Sequence, residues 1–204
     1  MSPAKLDLYA QHKAEYVAPK APVLIKVQPA RYLAIEGRGE PGGDAFQTAL
    51  AALYNVAFTV KMARKFAGRD FTVSKLEGLW WGSGKRGHFV DEPRSTWHWR
   101  LLIRVPDWIQ SKELRQAADS LVKKGKPGTV MNVELAVINE GQCVQVLHVG
   151  PYDQEHVTIE EMRTFARLQG LVFDGRHHEI YLSDPRRVAP ERLRTILRQP
   201  VRIK

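Results

Sequence analysis

Acidic and aromatic residues sit close together in the stretch His177–His178–Glu179–Ile180–Tyr181–Leu182. In an extended chain successive side chains point to opposite faces, so His177, Glu179 and Tyr181 share one face and His178, Ile180 and Leu182 the other. A carboxylate beside a phenol can neutralise a cationic ligand. It can also take a proton from water while the phenol donates a hydrogen bond to a substrate oxygen. On the outer, solvated face of a sheet the same residues would serve no ligand, and spacing alone leaves both readings open. Leu76–Glu77–Gly78–Leu79–Trp80–Trp81 has a similar character: Glu77, Leu79 and Trp81 share a face and echo Glu179 and Tyr181. Trp97 and Trp99 alternate with His98 and Arg100, which puts both indoles on one side of their strand. Trp80, Trp81, Trp97 and Trp99 on two neighbouring strands exceed what a plain core requires. An aromatic wall for a flat, apolar organic molecule accounts for the surplus.

Other chemistries find little support. His177 and His178 face apart, and no paired cysteines or helical histidine spacing complete a zinc site, so no metal and no cofactor are expected. Gly37–Arg38–Gly39 lacks the third glycine of a phosphate-binding loop, and no serine sits in a nucleophile-elbow context. The single cysteine, Cys143, lies in the apolar run Cys143–Val144–Gln145–Val146–Leu147 and reads as a buried thiol. An internal disulfide is excluded, as suits a reducing cytoplasm.

The elements that must position these residues follow from pattern. Residues 1–20 read as an arm or a short surface helix. Two strands are expected at 23–27 and 32–37, joined by a Pro29–Ala30–Arg31 turn. Asp44 with Gln47 opens a long helix whose buried stripe is Phe46, Leu50, Leu53, Ala57 and Val60, and Gly68 can end it. Strands at 72–81 and 95–105 flank a glycine-rich loop, Gly82–Ser83–Gly84–Lys85–Arg86–Gly87. Ser111 caps a second helix with Leu114, Ala118, Leu121 and Val122 buried. A hairpin at 130–138 and 142–149 turns at Asn139–Glu140–Gly141. Asp153 caps a third long helix bearing Ile159, Met162, Phe165 and Ala166, and a strand at 176–183 follows. Pro190 opens a short terminal helix burying Leu193, Ile196 and Leu197.

Strand, strand, Gly/Pro break, capped helix, strand thus occurs at 22–81 and again at 130–183. The expected fold class is α+β: two duplicated units (about 21–107 and 108–204) behind a 1–20 arm, forming a joint antiparallel sheet. Two long helices would lie on one face, with a ligand cleft at the junction of the halves.

Composition narrows the partners. The net charge of +9 raises nucleic acid as a possibility. Its excess is concentrated in Arg186, Arg187, Arg192, Arg194, Arg198, Arg202 and Lys204, which a solvated helix face explains without DNA. No apolar run reaches the roughly 18 residues of a membrane span, and the N-terminus lacks the apolar core of a signal peptide. A cytoplasmic protein is expected.

His148–Val149–Gly150–Pro151–Tyr152–Asp153–Gln154–Glu155 and the string from His177 to Arg187 resemble the GyrI-like small-molecule-binding family. Leu76–Trp81 and Glu191–Arg198 fit the same pattern. The resemblance implies a duplicated strand–helix–strand–strand fold with a pocket where the halves meet. Relatives include drug-binding domains of multidrug-responsive regulators, stand-alone binders of lipophilic cations and a gyrase-inhibiting protein. Some stand-alone members hydrolyse the activated cyclopropane ring of DNA-alkylating natural products, a self-protection activity. On this resemblance Glu179 matches the pocket acid, and Tyr152 and Glu155 match the loop-to-helix motif. Tyr54, Trp80, Trp81 and Trp97 fill aromatic positions of the first half. Two functions are implied: hydrolysis, with Tyr181 as hydrogen-bond donor and Glu179 or Glu155 as base, or binding alone, with the acid as counter-ion. A protein partner, by analogy with gyrase inhibition, rests on family association and the basic surface.

Overall fold

The computed structural model describes residues 5–82 and 92–204. The expected glycine-rich loop therefore lies, beyond Gly82, outside the described residues. Two single turns of helix, α1 (Leu8–Gln11) and α2 (Lys13–Tyr16), precede strands β1 (Val23–Val27) and β2 (Ala30–Arg38). Helix α3 (Asp44–Phe66) and strands β3 (Leu76–Trp81) and β4 (His98–Arg104) complete the first half. Helix α4 (Ser111–Lys123) then leads to β5 (Glu134–Ile138), β6 (Gly141–Val149), α5 (Glu155–Leu168), β7 (Leu171–Phe173), β8 (His177–Tyr181) and β9 (Arg194–Ile203).

The fold is α+β, with a nine-stranded antiparallel sheet in the order β1-β6-β9-β8-β3-β4-β2-β5 and β7 paired to β9. Exchanging β1 with β5, β2 with β6, β3 with β8 and β4 with β9 reproduces the order read backwards. The duplication is thus a pseudo-twofold about the β3–β8 seam.

The expected hairpin of β5 with β6 does not form, and the two strands expected to be joined by a turn, β1 and β2, do not pair either. β1 pairs with β6 rather than β2, and β5 pairs with β2 rather than β6, so each half lends its first strand to the other. From Val27 to Ala30 the chain can cover only about 11 Å, whereas six strand spacings in a flat sheet amount to about 29 Å. The sheet must therefore curl until its two edges meet, which creates an inner and an outer face.

Helices α3 and α5 pack on the outer face. Ala49, Leu53, Val56 and Val60 of α3 bury against Leu33, Ile35, Leu101 and Ile103, while Ile159, Met162 and Ala166 of α5 bury against Val144, Val146 and Leu197. Helix starts differ from expectation by a residue or two. Gly43, not Asp44, precedes α3, and Gln110 precedes α4, its N–H donating to the Glu113 carboxylate at 2.9 Å. Asp153 lies in a 3₁₀ turn (Tyr152–Gln154) that feeds α5. The expected terminal helix is instead one 3₁₀ turn (Pro190–Arg192) followed by the ten-residue strand β9. β9 runs between β6 and β8 and is covered on both faces, so its apolar residues need not alternate. Among its arginines Arg194 and Arg202 are exposed, but Arg198 is 1% exposed.

The first residues do more than form an arm. Glu15 and Tyr16 reach the inner face and are buried there. No helix among the described residues is long and apolar enough to cross a membrane.

Candidate functional site at the β3–β8 seam

The pseudo-twofold axis brings β3 against β8 with Gly78 opposite Glu179 and Trp80 opposite His177. Residues opposite one another in a ladder share a face, so Gly78, Trp80, His177, Glu179 and Tyr181 all look outward between α3 and α5. The Tyr181 hydroxyl donates to Glu179 Oε2 at 2.7 Å, and the Trp80 indole N–H donates to the Tyr181 oxygen at 3.2 Å. His177 Nε2 lies 3.7 Å from Glu179 Oε1.

A second carboxyl arrives from the same half of the chain, off the start of α5. Glu155, the first residue of α5, is 6% exposed; it shares a hydrogen bond with Glu179 and accepts one from the Thr195 hydroxyl. The turn before it is tied to β6: His148 Nδ1 accepts from the Thr158 hydroxyl at 2.9 Å and Nε2 lies 3.3 Å from the Pro151 carbonyl. Burial lowers the His148 pKa, consistent with a neutral ring in that role. Gly150, with φ of 146°, supplies the backbone conformation that swings Tyr152 and Glu155 back over the sheet.

Two carboxyls in hydrogen-bond contact away from water cannot both ionise freely. Burial, and then the charge of Glu179, push the Glu155 pKa well up. Burial likewise raises Glu179, to about 7, against the opposing hydrogen bonds from Tyr181 and Glu155. Tyr181 is raised by burial and by the carboxylate it faces. Glu155 therefore stays the protonated member while Glu179 titrates near neutrality, the arrangement of an acid and a base side by side.

Aromatic groups surround the pair. Trp80 stacks with Phe46 of α3 at 6.0 Å and meets Trp97 edge-on at 6.0 Å. Tyr152 meets Tyr181 edge-on at 6.0 Å. Trp99 lies beneath Phe46, its ring filling the space that a Cβ on Gly37 would take. Tyr54, further along α3, is raised in pKa by burial and sits within the electrostatic reach of Arg186 and Asp184 after β8. It also borders a surface depression of about 480 Å³ on the exposed side of α3, formed with Phe58 and Met62 and distinct from the carboxyl pair.

Of the residues singled out by sequence, the fold brings Glu155, Glu179, Tyr181, Tyr152, Trp80 and Trp97 around one point. Trp99 backs them and Tyr54 stands at their edge. Glu77 and Trp81 are not among them. Glu77 pairs with Ile180 in register and points inward, so its echo of Glu179 is displaced by one residue, which on a strand reverses the face. The outward counterparts of Glu179 and Tyr181 on β3 are Gly78 and Trp80. Trp81 stacks on His98 at 5.7 Å with the Arg176 guanidinium 3.6 Å from its ring centre.

Sequence reasoning missed Phe46 as a wall, Thr195 as a partner of Glu155, and Gly78. Thr195 was concealed by the helical reading of β9. Gly78 carries a signal: an L side chain there would meet Trp80 Nε1 at 2.9 Å and the Tyr181 hydroxyl at 3.1 Å. Among the described residues no group of three His, Cys, Asp or Glu is placed to hold a metal ion.

A family model described as a GyrI-like small molecule binding domain matches residues 20–202. An uncharacterized conserved protein from Listeria innocua is 37% identical, with a TM-score of 0.90 over 97% of this chain and 100% of its own. A hydrolase from Listeria innocua is 35% identical, with a TM-score of 0.86 and the same coverage. The C-terminal domain of EcmrR, 12% identical with a TM-score of 0.59 over 90% of this chain and 98% of its own, shares the fold. No curated protein sequence matches the chain.

Proposed function

This chain belongs to the family of GyrI-like small-molecule-binding domains, and from that premise we propose that it hydrolyses a flat, lipophilic, electrophilic small molecule at the Glu155–Glu179 pair. An activated cyclopropane conjugated to a carbonyl, as in DNA-alkylating natural products, is the substrate class that suits it. The observation carrying this reading is the hydrogen-bonded carboxyl pair, buried beside the Tyr181 phenol and walled by Trp80, Trp97, Phe46 and Tyr152. The likeness to a hydrolase over the full length of both chains supports it.

In this mechanism the indoles and Phe46 hold the planar body of the substrate by stacking. Glu179, ionised near neutral pH, accepts a proton from water as the water oxygen bonds to the ring methylene. The ring carbon–carbon bond breaks, and its electron pair passes into the conjugated carbonyl. Tyr181, or Glu155 in its protonated form, hydrogen-bonds that carbonyl oxygen and supplies the proton it gains.

The test is incubation with a spirocyclopropyl dienone in ¹⁸O-water, followed by mass spectrometry. The ring-opened alcohol should carry the heavy oxygen, and Glu179→Gln should slow its formation roughly 10²–10⁴-fold. Unchanged substrate at stoichiometric protein would overturn hydrolysis of that class. Among the described residues no buried Lys or Arg stands on the same face as the carboxyl pair, which also fits non-catalytic capture of a lipophilic cation. In that case Glu179→Gln weakens cationic dyes and leaves neutral ones bound.

A further inference from the structure

Directly behind the carboxyl pair, on the inner face of the same two strands, lies a buried ionic network. His178 is 0% exposed and sits between two carboxylates: its Nε2 is 3.0 Å from Glu77 of β3, and its Nδ1 is 2.9 Å from Glu140 of the β5–β6 link. Arg198 of β9, opposite His178 in register, contacts Glu140 at 3.0 Å, Gln145 at 2.8 Å and the Glu15 carbonyl at 2.6 Å. Tyr16 donates its hydroxyl to Glu77 at 2.8 Å, and Arg104 of β4 pairs with Glu15 at 2.7 Å. Among the described residues Tyr32 of β2 and the Cys143 thiol of β6 also face this network, and His12 Nδ1 lies 3.9 Å from Glu15 at its rim. The carboxylates are Glu15, Glu77 and Glu140; the cations are Arg104, Arg198 and His178. Against three carboxyl groups stand two guanidiniums, and His178, held between two of those carboxyls, is placed to be the third cation. Although burial opposes its charge, Glu140 and Glu77 raise the His178 pKa to about 9.

We infer that His178 is a positioning residue for the outward site: a buried imidazolium, clamped by Glu77 and Glu140, that holds β8 against β3 and keeps Glu179 the ionised member of the carboxyl pair. The inference rests on the reading of Glu155 and Glu179 as the reacting pair. Its physical basis is short range. His178 and Glu179 are consecutive residues on a strand one residue thick, in surroundings where water does not screen the charge, so the cation on one face favours the anion on the other. The clamp is assembled from both halves and from the N-terminal segment. The orientation of Glu179 therefore depends on Tyr16 and Glu15 seating correctly, although neither touches the outer face.

The test uses the whole chain labelled with ¹³C at the glutamate side-chain carboxyl, with Glu179 and Glu155 assigned by their Gln variants. In His178→Gln the titration midpoint of Glu179 should rise by about one pH unit or more, and in His178→Lys it should stay near wild type. The rising limb of kcat/KM against pH should move by the same amount in the same direction. A structural role alone would alter stability and leave both midpoints in place, which would overturn the inference. So would a Lys variant that behaves as the Gln variant does. Should the Gln variant not fold, ¹⁵N shifts of the wild-type imidazoles decide the matter: His178 must carry protons on both nitrogens at pH 7, and a neutral ring overturns the proposal. The carboxyl titration needs no substrate. A protein that turns nothing over but shows the shift therefore loses its proposed reaction and keeps this coupling.

Discussion

Two faces of one strand pair carry nearly the same residue types and put them to opposite uses. On the inner face of β3 and β8, Glu77, His178, Glu140 and Arg198 are matched charge for charge. Each carboxylate there has a cation or donor within hydrogen-bond reach, and Glu140 has its pKa lowered to about 2 because His178 and Arg198 outweigh the cost of burial. On the outer face Glu179 meets another carboxyl, a phenol and a neutral histidine, and its pKa moves the other way. Burial is comparable on the two sides, so desolvation does not distinguish them. The distinction is whether a buried cation accompanies the carboxylate. Compensated charge gives a rigid brace, whereas an uncompensated pair retains the proton affinity that chemistry or a cationic ligand can use.

The contrast is most severely tested by removing one charge from each face. Arg198→Met leaves Glu140 buried with a shared imidazolium as its remaining cation, and should lower stability by about 3–5 kcal/mol in urea denaturation. Glu179→Gln removes a charge that, among the described residues, has no buried Lys or Arg on its own face, and should leave stability unchanged or raise it while turnover collapses. Equal losses of stability from the two variants would break the distinction between brace and site.

A smaller effect separates the faces by pH. Glu179 has a folded pKa above its unfolded value, so its contribution is fully present below the ordinary carboxylate range and is lost as pH rises through about 7. Glu140 runs the opposite way: its contribution is present above that range and lost as pH falls toward 2. His178 contributes below 6.5 and loses that contribution as pH passes 9. His177, lowered to about 4 chiefly by burial, gains stability with rising pH across the same window and would mask a simple slope. The difference between Glu179→Gln and wild type cancels it. That difference in unfolding free energy should grow in favour of the variant between pH 5 and 7, on the order of 2 kcal/mol, since one pKa unit corresponds to about 1.4 kcal/mol. A constant difference would mean that Glu179 is ionised throughout, and that the outer face is compensated after all.

Much of the seam was legible in the sequence because strand alternation is a local rule. It separated His178 from Glu179 and joined Glu179 to Tyr181, as the ladder has them. The family resemblance added the position of Glu155 at the start of α5. What local rules cannot supply is register between strands about a hundred residues apart. Glu77 was aligned with Glu179 by letter, and the ladder sets Gly78 there instead. The exchange of β1 and β5 between halves was hidden for the same reason, since Pro29–Ala30–Arg31 and Asn139–Glu140–Gly141 look like turns until the curl of the sheet is known. Glu140, read as a turn residue, became a centre of the inner network. Arg198 was grouped with solvated arginines because spacing of three and four in Leu193, Ile196 and Leu197 imitates a helix. In a strand buried on both faces the apolar run needs no alternation, and its one buried arginine is visible only through its partners.

The finest test of the two-face contrast is Gly78→Ala, because that position touches the outer face alone. Its Cβ would stand 2.9 Å from the Trp80 indole nitrogen and 3.1 Å from the Tyr181 hydroxyl, between two groups that are hydrogen-bonded to each other. Both are ends of side chains with some freedom to shift, so the cost to stability should be small, about 1 kcal/mol. The displaced phenol, however, can no longer hold both Trp80 and Glu179. Glu179 loses a donor that favours its ionised form, and its titration midpoint should rise. The inner network has no contact with the new methyl, so the His178 imidazole signals should stay where they are. If those signals move together with Glu179, strand displacement rather than loss of the Tyr181 hydrogen bond carries the effect, and the two faces respond as one unit.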